Sequence, residues 1–487
     1  MGAQLFATRS RASITTALRT SEHKVIAIGA YFCIRYLITK RLNKYFTRVF
    51  VIDRHGIAER CGSRISPALY LHIPFCETIC SFCPFQKGAY KHVKQIESYM
   101  SALTTEIRTK GNFIRSLRGP IRSIYIGGGT PSLLSADNIR HIGKVLHGEF
   151  ELSSLTEFTL ESEPKSVTRD KLYAAREIGV NRISFGIQSF IERFRSLFNL
   201  TSTREQINNT VAWSQEIIGH VGFDLLYGMH SQQAEELLYD LKQASELHPE
   251  TINLYAINNL AITSQLHKSY AQKGLKPSSL QHRQMLRLFS DIVMRSCGYA
   301  PCNGHSYIKI ANNTPLTLAK TSSANYFRYH KYLHGYHDDY VVGFGASALS
   351  ILGSLVTRAN PSRSGYITDI QLKGKSKVYY NWVSAEQQAS KALCMRLPYN
   401  GYAKKERIDW TALPSFVYNN LQQLIGAGLI AENDNDLQLT QRGWQWYSNL
   451  MYFLLPHADR NILDGYVANM LNTNAVLDGP AETCVAS

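Results

Sequence analysis

The sequence predicts an α/β protein built on a parallel sheet, and two observations carry this prediction. Six short runs rich in apolar and β-branched residues recur from residue 69 onward, and segments with the apolar spacing of helices separate them. Strands that alternate with helices form parallel sheets through right-handed βαβ units. Such a sheet is either a doubly wound layer or an incomplete barrel. Both place the ligand site at the carboxyl ends of the strands.

The predicted elements follow one another without an internal repeat or a low-complexity linker. The strands are predicted at Leu69–Ile73, Ser123–Ile126, Phe158–Ser162, Arg182–Gln188, Phe223–Tyr227 and Ile252–Ile257. Helices are predicted between them, for example at Gln95–Lys110, Ala136–Phe150 and Arg204–Ile218. A polar stretch containing Ser, Gly and Lys at Pro361–Tyr380 then predicts a domain boundary.

The carboxyl-terminal part predicts a smaller, mostly helical domain. After an apolar helix at Ala385–Leu397 come a helix at Phe416–Ile425, a short hairpin at Leu429–Leu439 and a helix at Arg442–Leu450, which resembles a winged-helix module. Winged helices often bind DNA, but residues 422–435 contain no Lys or Arg for phosphate contacts. A structural or lid role is therefore favoured over nucleic-acid binding.

Composition places the chain among globular proteins. Its 487 residues are 44% apolar and 18% charged, which excludes disordered and fibrous classes. The formal charge is +16, but residues 1–60 hold eleven Lys or Arg against three Asp or Glu, so half of the excess lies there. The remaining chain is only mildly basic, which argues against a nucleic-acid surface spread over the whole protein.

The amino-terminal segment leaves several interpretations open. Residues 1–21 carry arginines, many Ser and Thr and no acid, as in an organelle transit peptide or a basic bacterial leader. Residues 25–38 are apolar apart from Arg35 but shorter than the ~20 residues that span a bilayer. With the basic residues that follow them, they predict either a helix on an anionic membrane surface or a packed helix with a solvated basic face. We expect a cytoplasmic protein, with residues 25–50 as the candidate for peripheral contact with the inner membrane.

The cysteines give the sharpest chemical signal. There are nine, an odd number in a large chain, which favours a reducing compartment over a disulfide framework. Cys76, Cys80 and Cys83 form a C-x3-C-x2-C pattern. A structural zinc site needs four ligands, so His72 would have to be the fourth. Three thiolates suit a [4Fe–4S] cluster with one iron open to a small molecule, and three buried free thiols are the remaining alternative.

Around these cysteines the sequence resembles a known family. LYLHIPFCETICSFCPF at residues 69–85 is similar to radical S-adenosylmethionine (SAM) enzymes, and within them to the oxygen-independent coproporphyrinogen III oxidase (HemN/HemW-like) family. That family includes heme chaperones, heme-degrading anaerobilin synthases and class C methyltransferases. The resemblance covers about residues 68–450. It implies a partial (β/α)6 radical SAM barrel followed by a helical, winged-helix-like domain.

Four domains are expected on this basis. They are a basic extension at 1–66, the radical SAM catalytic domain at 67–360, the carboxyl-terminal domain at 361–455 and a tail at 456–487.

The resemblance also implies the site residues. It assigns Cys76, Cys80 and Cys83 to the cluster, and further motifs match in order: SIYIGGGTP at 123–131, FTLESEP at 158–164, RISFGIQSF at 182–190, FDLLYG at 223–228 and VGFGASA at 342–348. Tyr70 is implied as a catalytic residue near the cluster. The implied cofactor-binding residues are Tyr70, Phe82, Gly128, Gly129, Thr130, Glu161, Gln188, Asp224, Ala256 and Gly345.

The implied chemistry is reductive cleavage of SAM to a 5′-deoxyadenosyl radical that abstracts a substrate hydrogen. A one-electron donor of flavodoxin or ferredoxin type and a tetrapyrrole or other hydrophobic small-molecule substrate are implied with it. The first alternative is class C methyl transfer, with two SAM molecules, to an aromatic substrate such as a menaquinone. The second is a heme-binding chaperone without catalysis.

The chain departs from the family at several positions. Phe85 stands where the oxidases have a fourth cysteine, and Leu200 where many members have an arginine. Met229 and His230 occupy positions where a proline is usual, and ANYFRY at 324–329 replaces the chaperones' His-Asn-x-x-Tyr-Trp motif. The missing chaperone motif makes heme chaperoning the less favoured interpretation.

A second group of aromatic and histidine residues has no assigned role in the family pattern. NGHSY at 303–307 and the stretch 326–340, which contains His330, His334 and His337, are candidates to line the substrate site. A packed aromatic layer with surface histidines explains them equally well.

Overall fold

The structure is a computed structural model. It describes residues 47–49, 65–83, 85–89, 92–257, 264–310, 327–336 and 338–473. The predictions for residues 1–46, including the apolar run at 25–38, lie outside the described residues. Within the described ranges, no helix has both the length and the apolar character to cross a membrane.

A thirteen-stranded sheet forms the body of the protein, in the order β1-β15-β14-β13-β12-β2-β5-β6-β7-β8-β9-β11-β10. From β12 to β9, neighbouring strands run parallel. The strands of this sheet are β1 Thr47–Val49, β2 Ala68–Ile73, β5 Ser123–Gly128, β6 Glu157–Ser162, β7 Arg182–Gln188, β8 His220–Tyr227, β9 Thr251–Ala256, β10 Tyr299–Pro301, β11 Ser306–Lys309, β12 Val341–Phe344, β13 Leu349–Leu352, β14 Leu355–Ala359 and β15 Val378–Trp382. All six predicted strands are confirmed, and they lie side by side in chain order.

Helices connect the parallel strands and pack against them. They are α1 Val93–Ser116, α2 Ala136–Glu149, α3 Arg169–Glu177, α4 Glu192–Phe198, α5 Arg204–Ile217, α6 Ala234–Glu246, α7 Ser264–Gln272 and α8 Leu280–Ser296. Side chains cap several of their amino ends, as Ser135 does for α2 and Thr203, with a capping box, for α5. Buried aliphatic residues of these helices and of the strands form one large core.

The polar stretch at 361–380, where a domain boundary was predicted, contributes a helix and a strand of the main sheet. It forms helix α10, Arg363–Lys373, and strand β15, which pairs with β14 and with β1. The sheet therefore runs beyond the expected boundary at residue 361. It also takes a strand, β1, from the predicted amino-terminal extension. The short helix α9, Tyr329–Leu333, precedes β12.

A second core holds the carboxyl-terminal module, which we define as residues 385–473. Its elements are α11 Ala385–Lys391, a π-helical turn Ala392–Arg396, α12 Leu397–Asn400, α13 Ser415–Gly426, α14 Gln441–Gln445, α15 Tyr447–Phe453 and α16 His457–Thr473, with β16 Tyr402–Lys404, β17 Ile430–Glu432 and β18 Asp436–Leu439 in a small sheet. The predicted helix–hairpin–helix order is present. Residues 457–473 were expected in a tail, but they form a helix whose Leu463 is fully buried in this core.

Candidate functional site

The three cysteines lie on one loop at the carboxyl edge of the sheet. Strand β2 leads into the two-residue strand β3, Phe75–Cys76, which pairs with β4, Gly88–Ala89. Cys80 and Cys83 lie between these two strands, and the Cys83 N–H donates to the Cys80 carbonyl at 3.3 Å. The Lys87 ammonium donates to the Cys83 carbonyl and closes the loop.

The thiols of this loop fit an iron–sulfur cluster. Burial and the proximity of Cys83 raise the pKa of Cys76 to about 11, although a hydrogen bond with Thr130 opposes the shift. Burial and the same neighbour raise the pKa of Cys80 to about 12. Closely spaced, buried thiols ionise only when a positive partner such as iron offsets their mutual repulsion. The three thiols are ligands of the kind that a [4Fe–4S] cluster takes, although among the described residues no three metal-ligating side chains are already gathered around one metal position.

A zinc site that includes His72 does not fit this geometry. The buried His72 ring is engaged at both nitrogens: its Nδ1 lies 2.8 Å from the Tyr70 hydroxyl and its Nε2 lies 2.9 Å from the Gln86 carbonyl. Burial lowers the pKa of His72 to about 4, so the ring is neutral. The network assigns the ring proton to Nε2, which donates to Gln86, while Nδ1 accepts from Tyr70.

The glycine-rich turn after β5 packs directly on the cysteine loop. The Gly129 N–H donates to the Ile73 carbonyl at 2.8 Å, and the Thr130 N–H donates to the Phe75 carbonyl at 2.7 Å. A Cβ atom on Gly129 would lie 2.5 Å from the Phe75 carbonyl oxygen, so the two backbones touch. Gly128 has φ +122°, which side chains rarely adopt. Only glycine at these two positions lets the turn reach the loop.

Glu161 lies at the end of β6 and faces the same turn. One of its carboxyl oxygens accepts from the Tyr125 hydroxyl at 2.5 Å, and the other accepts from the Gly128 N–H at 2.8 Å. Burial raises the pKa of Glu161 to about 7, although the bond from Tyr125 works against the shift. The carboxyl is thus poised to ionise when a cation binds beside it.

A second carboxyl, Asp224, lies on β8 among polar groups. It accepts from the Asn253 amide at 2.7 Å, and the Ser184 hydroxyl lies 3.5 Å away. Burial raises its pKa to about 6. Gln188 ends the intervening strand β7 at a register shift, with φ +68°, which turns the chain at the site edge.

The remaining predicted cofactor residues lie around this edge. Phe82 is half-buried and packs edge-to-face on Phe198, with ring centroids 5.5 Å apart. Ala256 is the half-buried last residue of β9. The Tyr70 ring stacks with Tyr125 at 6.1 Å. The structure thus brings the predicted residues to one edge of the sheet, while their roles toward a cofactor stay predictions.

Gly345, in the turn after β12, is held by groups that the sequence reading missed. Its N–H donates to buried Glu106 at 2.7 Å, and the next N–H, of Ala346, donates to the Tyr99 hydroxyl at 2.8 Å. Tyr99 in turn donates to the His72 carbonyl at 2.7 Å, which ties this turn to the cysteine loop. Glu106 lies on the apolar face of helix α1, one turn after Leu103. An acidic residue on such a face indicates a buried carboxylate with hydrogen-bond partners, so this position could have been predicted from the sequence.

Two departures from the family pattern have a structural counterpart. Phe85, which replaces the fourth cysteine, is 42% exposed beside the loop. Leu200 replaces the arginine of many members, and the buried Arg195 nearby donates instead to backbone carbonyls, including that of Ser189 at 2.8 Å. Arg195 therefore braces the chain after β7.

The family model of the radical SAM superfamily matches residues 70–244. The chain is 25% identical over 317 residues to the oxygen-independent coproporphyrinogen III oxidase of Escherichia coli K12, covering 63% of this chain and 66% of that protein. It is 26% identical over 382 residues to the heme chaperone HemW of Bacillus subtilis, covering 77% and 95%. With the anaerobilin synthase of Escherichia coli O157:H7 it is 33% identical over 199 residues, 40% of this chain and 44% of that protein.

A solved structure gives the fold. The coproporphyrinogen III oxidase HemN from Escherichia coli superposes with a TM-score of 0.70 at 20% identity, covering 87% of this chain and 98% of that one. This confirms the predicted α/β barrel fold with a helical carboxyl-terminal region. The match to the Escherichia coli K12 oxidase spans just under two thirds of that enzyme. Its activity is therefore a matter for proposal here.

Proposed function

We propose that this chain, which carries a radical SAM domain at residues 70–244 and is similar to coproporphyrinogen III oxidases and HemW, is an enzyme acting on a tetrapyrrole. The observation that carries the proposal is the meeting of a three-thiol loop, a glycine turn and two raised-pKa carboxyls at one sheet edge. Groups of this kind match the needs of SAM, which presents a carboxylate, a cationic ammonium and ribose hydroxyls.

Each part of the edge has a distinct task in the proposal. Cys76, Cys80 and Cys83 bind the [4Fe–4S] cluster and leave one iron for SAM. When bound, the cluster would supply the one electron that breaks the C5′–S bond of SAM to give methionine and the 5′-deoxyadenosyl radical, and this radical would take a hydrogen atom from the substrate to become 5′-deoxyadenosine. The backbone at Gly128 and Gly129 approaches the cofactor closely, and Glu161 and Asp224 accept hydrogen bonds from its ammonium or hydroxyl groups.

The test is SAM cleavage by the protein reconstituted without oxygen. Wild type with SAM and dithionite should form 5′-deoxyadenosine, detected by chromatography, and Cys80→Ala should lose this activity along with the iron. Cys302→Ala is the control, because this buried cysteine lies away from the loop on the β10–β11 side. If wild type binds the cluster and SAM yet forms no 5′-deoxyadenosine, the proposed enzyme function is rejected.

Class C methyl transfer to an aromatic substrate such as a menaquinone is the second candidate. It is favoured by Phe85, which replaces the oxidases' fourth cysteine and gives the loop an exposed apolar ring. This reaction uses two SAM molecules, one as the radical source and one as the methyl donor. Methyl-labelled SAM should then give a labelled product. Decarboxylated porphyrin with 5′-deoxyadenosine alone would reject methyl transfer.

Heme carriage without catalysis is the third candidate, favoured by the match that spans 95% of HemW. It requires stoichiometric heme binding and no SAM cleavage, so the same assay separates it from the enzyme.

For the enzyme we also propose a flavodoxin- or ferredoxin-type donor. From the amino-terminal sequence we propose peripheral contact with an anionic membrane through residues 25–50.

A further inference from the structure

Three aromatic side chains from separate parts of the chain meet in one hydrogen-bonded group. The Tyr399 hydroxyl lies 2.8 Å from His305 Nε2 and 3.0 Å from His330 Nδ1. A phenol has one proton, so it donates to one imidazole and accepts from the other. We call this group the Tyr399 triad. A third imidazole, His334, stacks on the Tyr399 ring at 3.8 Å.

The triad is continuous with the proposed cofactor site. His305 lies against Tyr255, the neighbour of Ala256 on β9, with ring centroids 4.0 Å apart. On the other side, His330 contacts Phe327 at 3.9 Å, and Phe327 contacts Tyr125, which donates to Glu161. Strands β5 and β9 are separated by three strands in the sheet. The triad therefore connects the β9 side of the sheet to the β5 side. We call the row of rings from Tyr255 through the triad and Phe327 to Tyr125 the aromatic wall, and it ends at the Glu161 carboxyl.

The histidines of this wall are uncharged and accessible. Burial lowers the pKa of His305 and His330 well below the usual value, and lowers that of His334 to about 3. Each ring nevertheless keeps part of its surface accessible, since all three are only half-buried. His334 Nδ1 is buried without a hydrogen-bond partner, so the wall holds an unused hydrogen-bonding atom.

The carboxyl-terminal module supplies Tyr399 through a close backbone approach. Tyr399 lies in α12, and a Cβ atom on Gly304 would lie 2.6 Å from its ring and 2.5 Å from that of Tyr447. Asn303 shapes the same turn by accepting from the His305 and Ser306 N–H groups. The turn that carries His305 is thus built to receive two rings of the module.

We propose that the Tyr399 triad is a substrate-binding site that hydrogen-bonds the ring N–H groups of a tetrapyrrole held against the aromatic wall. The carboxyl-terminal module supplies Tyr399 and therefore completes the site. This inference rests on the proposed function and adds the residues that recognise the substrate. The imidazole that donates to the Tyr399 hydroxyl keeps a lone pair on its other ring nitrogen, and this nitrogen can accept a hydrogen bond from a ring N–H of the tetrapyrrole. The buried rings of Tyr125 and Tyr329 stack 4.7 Å apart and support this group from behind.

The test measures binding and SAM cleavage separately. Metal-free coproporphyrin III is the probe, titrated under anaerobic conditions and followed by its fluorescence. Tyr399→Phe removes only the hydroxyl and should weaken binding roughly fivefold, the usual net effect of one hydrogen bond. His330→Ala should weaken it at least as much, and the double variant should cost less than the sum because both changes break one contact. Tyr447→Phe is the matched control, since its ring packs on the same glycine, and it should bind normally.

The outcomes separate the two proposals. Weaker probe binding in Tyr399→Phe and His330→Ala, with normal binding in Tyr447→Phe, supports the triad. Equal binding by wild type, Tyr399→Phe and His330→Ala overturns it, and so does a wild type that cleaves SAM but does not bind the probe. A wild type that binds the probe through the triad yet never cleaves SAM overturns the proposed enzyme function alone.

Discussion

At the scale of single residues, Glu161 predicts how SAM binding depends on pH. Its pKa is raised by burial to about 7, so the carboxyl is largely protonated at pH 6. A bound cation favours the ionised form, so SAM affinity should rise with pH and level off above about 7. Calorimetry on the reconstituted protein from pH 6 to 8 should show up to a tenfold rise per pH unit below the pKa.

Glu161→Gln provides the comparison for this profile. It should bind SAM more weakly and lose the rise between pH 6 and 8, apart from a residual slope near pH 6 from Asp224, whose pKa burial raises to about 6. Asp170→Asn, at an exposed carboxylate on α3, should keep the wild-type profile. A profile that is the same in Glu161→Gln and wild type would show that this carboxyl does not contact the cofactor.

Gly129 predicts a steric requirement at the cysteine loop. Gly129→Ala places a Cβ atom 2.5 Å from the Phe75 carbonyl, so the turn or the loop must move, at a cost of about 1–3 kcal/mol. We expect less iron and sulfide per chain after reconstitution. Gly148→Ala, in a helix where the new Cβ atom would meet nothing within 4 Å, should keep full iron and be neutral or slightly stabilising. Full iron content in Gly129→Ala would contradict the close packing.

At the scale of elements, Glu106 makes helix α1 a support for the turn at Gly345. It accepts from the Gly345 N–H and from the Tyr366 hydroxyl, both at 2.7 Å, and pairs with Lys110 at 2.8 Å. Glu106→Ala leaves two buried donors without an acceptor, and we expect a loss of about 2–4 kcal/mol in the free energy of unfolding. Glu97→Ala, at an exposed position of the same helix, should stay within about 0.5 kcal/mol. Equal denaturation midpoints for the two variants would refute this role.

The elements also show what could be read from the sequence. The six strands were predictable because each buried run is bounded by a helix with its own apolar period. The domain boundary predicted at 361–380 rests on the polar composition of this stretch, which does not reveal that β15 is a half-buried strand stabilised by pairing with β14. The cysteine and glycine motifs predicted that the site lies at the carboxyl ends of the parallel strands. The bonds from Glu106 and Tyr99 join residues more than two hundred positions apart, which a linear pattern does not reveal.

At the scale of the whole molecule, the two largest of five buried clusters in the described residues form the two main cores, and Tyr399 connects the second to the site of the first. Helix α16 closes the second core through Leu463, which is fully buried, while its neighbour Ile462 is 39% exposed. Leu463→Ala should therefore lower the free energy of unfolding by about 2–5 kcal/mol, and Ile462→Ala should change it by much less. Because the cysteine loop belongs to the other core, iron content should remain normal in both variants.

Thermal unfolding with iron analysis checks both statements. Equal melting temperatures for the two variants would mean that α16 does not support the module, and iron loss in Leu463→Ala would mean that the two cores do not fold as separate units.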